Sequence, residues 1–161
     1  MSRYATYTIV SLILIVVQTT VLRLLMIQGI SPDLLLIWIV YLALKEGQVS
    51  GTAWGFALGL VFDLTTGSFI GLSALTKTIG GFSAGYFFNE NKTGLTLGSY
   101  RFPLIVLSTS AIHNTLYFII FMQGTEIGAL KAVFSYGFTT SFFTTAIALI
   151  PMLWFERKYR V

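Results

Sequence analysis

Five polar side chains lie within apolar stretches of this 161-residue chain, at positions that could bring charges of both signs together inside a membrane: Asp33, Asp63, Lys77, His113 and Asn114. An ionisable group at such a depth needs a partner or water. A lysine in mid-membrane costs about 2.5 to 3.5 kcal/mol on insertion scales, so we expect Lys77 to face protein or a wet cavity. Its amine could reach toward Asp63. Together these residues indicate a candidate outer polar site, which would suit a charged metabolite.

The same residues also have plainer interpretations. Asp33 follows a Ser-Pro pair and would lie in the first turn of a helix, where a negative charge suits the helix dipole. Asp63 would be an interfacial carboxylate beside the aqueous boundary. His113 and Asn114 would make hydrogen bonds between helices, which we favour over a ligand-binding role. The residue types leave these alternatives open.

One short motif suggests an enzyme, but its geometry argues against catalysis. Residues 81–85 read Gly-Phe-Ser-Ala-Gly and fit the nucleophile pattern G-x-S-x-G, for which His113 would be the base. Ser83 would point away from the packed face of its helix and would lie at a different depth from His113. The chain has no cysteine and one histidine, which excludes thiol chemistry and multi-histidine metal sites. We therefore predict no enzyme activity, no cofactor and no metal.

Composition defines the broad class of the chain. Hydrophobic residues make up 55% and charged residues 10% of it, with mean hydropathy +0.81, whereas soluble domains carry about 25% charged residues. This predicts an all-α polytopic membrane protein, a compact bundle forming one domain over residues 1–161. Polar and charged residues between the apolar stretches divide the chain into six predicted transmembrane helices, at 4–22, 32–44, 49–64, 69–88, 102–122 and 131–155. The first resembles a signal peptide but lacks a cleavage site, so we interpret it as a retained helix.

The predicted spans differ in length. The first, fourth, fifth and sixth have the roughly 20 residues that cross a bilayer core, whereas the second and third look short. Two explanations are open for the second span. Either Lys45 and Glu46 extend past a longer helix to reach the interface, or residues 24–31 dip into the bilayer as a re-entrant segment covered by protein or water.

The distribution of basic residues predicts the orientation. With both termini in the cytoplasm, the outer loops hold only Arg23 and Lys131, and the inner segments hold Arg3, Lys45, Lys92, Arg101, Arg157, Lys158 and Arg160. The net charge of +4 then follows from topology and is no sign of nucleic-acid binding. Contact with anionic membrane lipid is the most that the short basic tail supports.

Small residues recur every four positions in the third span. Helical spacing places Gly51, Gly55, Gly59 and Asp63 in one groove that ends in a carboxylate. The fourth span repeats the pattern with Ala74, Thr78, Gly81 and Gly85. Between them, Gly67 and Gly71 suit a reversal that needs permissive backbone. The pattern predicts a closely packed helix hairpin, or a groove that binds a partner.

Residues 32–88 resemble the MreD family of the bacterial rod-shape machinery. The resemblance rests on the proline that opens the second span, the pattern GF-x-x-GL-x-x-D at residues 55–63, and the turn with Gly67 followed by Gly-Leu-x-Ala-Leu at 71–75. Chain length, six spans and cytoplasmic termini are also similar to that family. The resemblance implies a multi-pass protein of the bacterial cytoplasmic (inner) membrane.

The resemblance further implies a non-catalytic scaffold. Proteins similar to MreD bind the bitopic protein MreC and work with the RodA glycosyltransferase, a class B penicillin-binding protein and, indirectly, MreB filaments to organise peptidoglycan synthesis. Three candidate surfaces could meet a bitopic partner: the glycine groove, an apolar groove bordered by the first span, and the outer loops.

A second class of function stays open. Substrate-binding components of energy-coupling-factor vitamin transporters are also compact six-span proteins of this size, and MreD-like chains are thought to share their general fold. An outward pocket among Asp33, Asp63, Lys77 and His113 would suit such a role. The first span lacks the small-residue spacing expected for docking on the energising module, so we place this alternative below the scaffold.

Overall fold

The computed structural model describes residues 3–22, 30–67, 69–123 and 128–159. They form α1 (Arg3–Val16), α2 (Leu34–Glu46), α3 (Gln48–Thr66), α4 (Leu72–Gly85), α5 (Thr93–Leu97), α6 (Arg101–Phe121), α7 (Ala129–Ala132) and α8 (Phe138–Tyr159). A π-helical turn at Val17–Val21 extends α1, another at Val133–Gly137 joins α7 to α8, and a 3₁₀ turn at Glu90–Lys92 precedes α5. The all-α prediction is confirmed.

Within the described residues, three helical segments are long and apolar enough to cross a membrane. They are Arg3–Val21, Arg101–Phe121 and Leu130–Lys158, with 19, 21 and 29 residues. Helices α2, α3 and α4 lie among them with 13, 19 and 14 residues. The structure therefore supports a membrane protein, and the count of six spans stays a prediction.

The predicted lengths of the third and fourth spans were wrong. The third was expected to be short but α3 has 19 residues, and the fourth was expected to be full length but α4 has 14. Helix α4 begins only after Gly71, whose φ of +98° is not helical. It ends at Gly85, after which Tyr86–Phe88 form tighter turns back to residues 83–85. Of the proposed re-entrant segment, residues 24–29 lie outside the described residues.

Helix α2 lies at the centre of the bundle. It is apolar on every side, which is typical of a helix buried all round. It contacts α1, α3, α4, α5, α6 and α8. Its fully buried side chains are Leu35, Leu36, Ile39, Val40, Leu42 and Ala43. Helix α1 covers part of it through polar contacts, since Trp38 Nε1 donates to Ser11 Oγ (2.9 Å) and Tyr7 Oη donates to Glu46 Oε1 (2.6 Å).

Helices α3 and α4 pack backbone against backbone. A Cβ built at Gly55 would lie 2.9 Å from the carbonyl carbon of Lys77, and one at Gly59 would lie 2.5 Å from Cα of Ala74. Gly51 makes the equally close approach to Gly81. Each step of four residues toward the end of α3 meets a residue about four positions nearer the start of α4. The spacing of the glycines therefore specifies an antiparallel register between the two helices.

This packing corrects one expectation about partner binding. Because α4 fills the glycine groove, that groove is not open to another protein. Gly67 (φ +65°) and Gly71 (φ +98°) contribute differently, because both have left-handed backbone. Apart from their chain neighbours, no described residue has an atom within 4 Å of a Cβ built on either glycine. Their role is in the chain reversal rather than in close packing.

Candidate functional site: a buried ion pair, a polar cavity and an apolar groove

Asp33 is the N-cap of α2 and is largely buried. Its Oδ1 accepts a hydrogen bond from the backbone N–H of Leu36 at 2.9 Å, which satisfies one of the free donors at the helix start. Its own backbone N–H donates to Thr144 Oγ1 on α8 at 3.0 Å. The residue therefore joins the start of α2 to α8.

Lys77 forms an ion pair with Asp33. The Lys77 side chain is 2% exposed, and its ammonium donates to Asp33 Oδ2. The ammonium also lies 5.6 Å from the ring centroid of Phe62 on α3, within range of a cation–π interaction. The suggestion that Lys77 reaches Asp63 was wrong, because the lysine turns to the carboxylate of α2 instead.

His113 and Asn114 serve different neighbours. Nε2 of His113 lies 3.5 Å from Asp33 Oδ2, so the histidine lies beside the ion pair. Asn114 Nδ2 donates to Ser141 Oγ at 2.9 Å and to the Gly137 carbonyl at 3.3 Å. These bonds tie α6 to α8 and its preceding π-helical turn, as the plainer interpretation of Asn114 predicts.

Sequence reasoning missed Gln18 and Thr144. Gln18 Nε2 donates to the carbonyl of Pro32 at 3.0 Å, and its Oε1 accepts from the backbone N–H of Leu34 at 2.9 Å. The sequence feature that could have revealed Gln18 is a polar amide within the apolar first span. Such a group needs a hydrogen-bond partner within the bundle. With Gln18 and Thr144 included, side chains from the π-helical turn after α1 and from α4, α6 and α8 contact Asp33 or the residues on either side of it.

Asp63 stands apart from this cluster. It is fully buried, and its carboxylate accepts hydrogen bonds from the backbone N–H groups of Gly71 (2.9 Å), Ser73 (3.0 Å) and Ala74 (3.2 Å). The end of α3 thus caps the start of α4, where a negative charge is favourable. The interfacial interpretation, a carboxylate beside water, does not describe a side chain with no exposed surface.

We expect Asp63→Asn to lower the free energy of unfolding by about 1 kcal/mol, because the amide keeps the shape but loses the charge that favours the start of α4. Asp63→Leu should cost more, since it leaves buried N–H groups without an acceptor. Apparent melting temperatures in detergent would rank wild type, Asn and Leu in that order. Equal values for all three would show that the cap does not stabilise the hairpin.

A polar cavity of about 220 Å³ opens beside the ion pair, and we call it the Asp33 cavity. Its lining comes from several helices and consists of Gln18, Ser31, Asp33, Phe62, Ser73, Lys77, His113, Asn114, Tyr117, Phe118 and Thr140. Four of the five predicted outer-site residues contribute to it, and Asp63 does not. The arrangement can present charge and hydrogen-bonding groups to a small molecule.

An apolar groove of about 310 Å³ lies between α1 and α8, over α2 and α6, and we call it the α1–α8 groove. It is lined by Val10, Leu14, Leu34, Ile37, Trp38, Tyr41, Phe102, Ile147, Ile150, Pro151 and Phe155. At one end, the Tyr41 ring stacks between Trp38 (centroids 5.0 Å apart) and Phe155 (5.3 Å). This is the groove bordered by the first span that sequence reasoning considered.

The G-x-S-x-G motif does not form part of either feature. Ser83 Oγ donates to the carbonyl of Ile79 within its own helix at 2.8 Å. Ser83 lines neither the Asp33 cavity nor the α1–α8 groove. Its hydroxyl therefore serves its own helix backbone.

These features define a class: an all-α integral membrane protein whose polar side chains mainly join helices. The comparison with known families is more specific. The chain belongs to the MreD family, because the family model for rod shape-determining protein MreD matches residues 2–161, essentially the whole chain. No curated protein and no solved structure matches it. The family is a structural, shape-determining one and is a membrane protein family, which agrees with the membrane-spanning helices.

Proposed function

We propose that the chain is a non-catalytic membrane scaffold of the rod complex. In this role it binds MreC and helps to organise peptidoglycan synthesis by RodA and its class B penicillin-binding partner, with MreB acting indirectly. It lies in the bacterial cytoplasmic membrane as a six-span protein with both termini in the cytoplasm. Family membership supports the role in rod shape, and the resemblance described above supplies the named partners.

The structural feature that best supports this proposal is the α1–α8 groove. The lining of this groove is almost entirely apolar. The groove is open on the side away from α2 and α6, because α1 and α8 do not close over it. A bitopic partner offers one transmembrane helix, and helices in lipid associate through close packing rather than through a hydrophobic drive. A groove with an aromatic floor gives such a helix a surface to pack on. We place the transmembrane helix of MreC there.

Filling the groove tests this placement. Ile150 lines the groove and is 69% exposed, so its side chain is free to change without disturbing the core. We expect Ile150→Trp to reduce the MreC that copurifies from native membranes by about tenfold or more, as blocking a central contact of an interface does. Cells that carry only this variant should lose rod shape.

The matched control is Leu149→Trp. This residue precedes Ile150 on α8, is also exposed, and does not line the groove. It should keep wild-type copurification and shape, since tryptophan there meets lipid. If both variants retain MreC, the groove is not the docking surface. If Leu149→Trp alone loses it, MreC binds the other face of α8.

A second candidate function is a substrate-binding membrane subunit of a vitamin or metabolite transporter. The Asp33 cavity favours it, because a polar cavity in a helical membrane protein can hold a metabolite. Mass spectrometry of the proteins that copurify with the tagged chain separates the two candidates. Recovery of MreC with wall-synthesis enzymes supports the scaffold, and recovery of ATPase subunits supports the transporter.

A further inference from the structure

We propose that the Asp33 cavity binds a small zwitterion, a molecule or head group that carries one ammonium and one carboxylate or phosphate. This inference is independent of the scaffold role, because it concerns the isolated chain. It rests on the bonding capacity left on the ion pair, on the charge balance of the cavity, and on the cavity's size and lining.

The Asp33–Lys77 pair has unused hydrogen-bonding capacity. A carboxylate has about four acceptor sites and an ammonium three donors. Among the described residues, Asp33 accepts hydrogen bonds from the Leu36 N–H and from Lys77, and Lys77 donates to Asp33 alone. Nε2 of His113 lies 3.5 Å from Asp33 Oδ2 without a hydrogen bond. The cavity therefore presents donors and acceptors that a ligand can satisfy.

Charge balance selects the type of ligand. Among the residues that line the cavity, Asp33 and Lys77 carry opposite charges and His113 is the remaining ionisable group apart from the Tyr117 phenol. Asp63 does not line it and is bonded to the start of α4. A single added charge beside this largely buried ion pair would lack a counter-charge, which is costly. A ligand with one charge of each sign keeps the site neutral.

A dipolar ligand can also match the pair geometrically. Its anionic group would accept from the free N–H donors of Lys77, and its ammonium would donate to the free lone pairs of Asp33. Both charges on the protein stay compensated during binding, because the existing ion pair does not have to break. Charge-assisted hydrogen bonds of this kind are about twice as strong as neutral ones.

The rest of the lining suits a small polar molecule. The hydroxyls of Ser31, Thr140 and Tyr117 line the cavity, and none makes a hydrogen bond to another described residue. The rings of Phe62 and Phe118 supply apolar walls. The volume of about 220 Å³ falls below the roughly 300–1,000 Å³ typical of pockets for drug-sized ligands. A ligand the size of a small amino acid or a phosphoethanolamine group fits this description.

Four soluble probes test the charge requirement. The purified chain, stripped of lipid in detergent, would be titrated with alanine, glycerophosphoethanolamine, propionate and ethylamine. Glycerophosphoethanolamine is a phosphodiester, so like alanine it carries one charge of each sign near neutral pH. We expect a saturable rise in melting temperature with at least one zwitterion, since a ligand that binds only the folded state stabilises it. Propionate and ethylamine carry one charge each and should give no rise at the same concentration.

The probes also distinguish the two sources of a zwitterion. Binding of alanine alone indicates a free amino acid-like ligand. Binding of glycerophosphoethanolamine indicates a lipid head group, and nanodiscs with phosphatidylethanolamine should then stabilise the chain more than nanodiscs with phosphatidylglycerol. If no zwitterion binds, or if the singly charged probes bind equally well, the proposal fails.

Two variants tie binding to the cavity. Asp33→Asn with Lys77→Met removes both charges together, keeps a capping side chain at α2 and should weaken zwitterion binding about tenfold or more. Thr140→Leu fills the cavity from α8 and should also weaken it, which covers the case in which the double variant does not fold. Thr139→Leu adds the same side chain at an exposed neighbouring position outside the cavity and should bind normally. Unchanged binding in both cavity variants would place the ligand elsewhere.

Discussion

Replacing Gly55 with leucine is expected to prevent the α3–α4 hairpin from forming. A Cβ at this position already lies 2.9 Å from the backbone carbonyl carbon of Lys77 and 3.1 Å from Cα of Thr78. Backbone atoms cannot rotate away as a side chain does, so the helices must separate. Overpacking a core typically costs 1–3 kcal/mol, occasionally more, and we expect a leucine here to cost about 3 kcal/mol or more. Size-exclusion chromatography would show little or no monodisperse protein.

The control is a leucine on the same helix that meets no neighbouring helix. Ala57 lies two residues from Gly55 and is exposed, so Ala57→Leu should give normal yield and melting temperature. Gly59→Leu should resemble Gly55→Leu, because its Cβ would lie 2.5 Å from Cα of Ala74. Normal folding of both glycine variants would mean that α3 and α4 do not pack as closely as described.

Replacing Lys77 alone with methionine is the second change with a large expected effect. It preserves most of the side-chain volume but leaves the Asp33 carboxylate buried without its cation. Removing one partner of a buried ion pair costs about 3–5 kcal/mol, because the remaining charge is uncompensated. We expect a strong fall in apparent melting temperature. Asp33 also joins α2 to α8 through Thr144, so the loss should loosen several helices together.

The double variant separates charge burial from side-chain shape. Asp33→Asn with Lys77→Met leaves no buried charge, and replacing a whole buried pair is often neutral or even stabilising. We therefore expect it to regain much of the stability lost in Lys77→Met. A double variant as unstable as the single one would indicate that the geometry of the pair, rather than its charge balance, holds the helices.

Sequence reasoning worked best where one short segment held all the information. The glycines of α3 and the small residues of α4 repeat at helical spacing within 35 residues, and the predicted hairpin is what the structure shows. The lengths of α3 and α4 were less predictable. Gly85 and the residues after it continue an apolar pattern, but the backbone leaves the α-helix there. Hydropathy does not report such backbone geometry.

The partner of Lys77 could not be read from the sequence. Asp63 lies 14 residues away along the chain and Asp33 lies 44 away. Both are expected on the outer side of the membrane, Asp33 at the start of its helix and Asp63 near the end of its helix. The carboxylate of Asp63 accepts three backbone N–H groups of the next turn and helix, so local bonding already satisfies it. Asp33 accepts one backbone N–H and keeps capacity for the lysine.

Composition, helical periodicity and glycine spacing determined by themselves that this chain is an all-α membrane protein with a tightly packed hairpin, because each is a local property of the chain. Only the tertiary structure decided which carboxylate holds the lysine, that Gln18 and Thr144 join that site, and that the glycine groove is filled while the α1–α8 groove is open. These features depend on the depth and rotation of helices far apart in sequence. The packing of the whole bundle sets both the depth and the rotation of each helix.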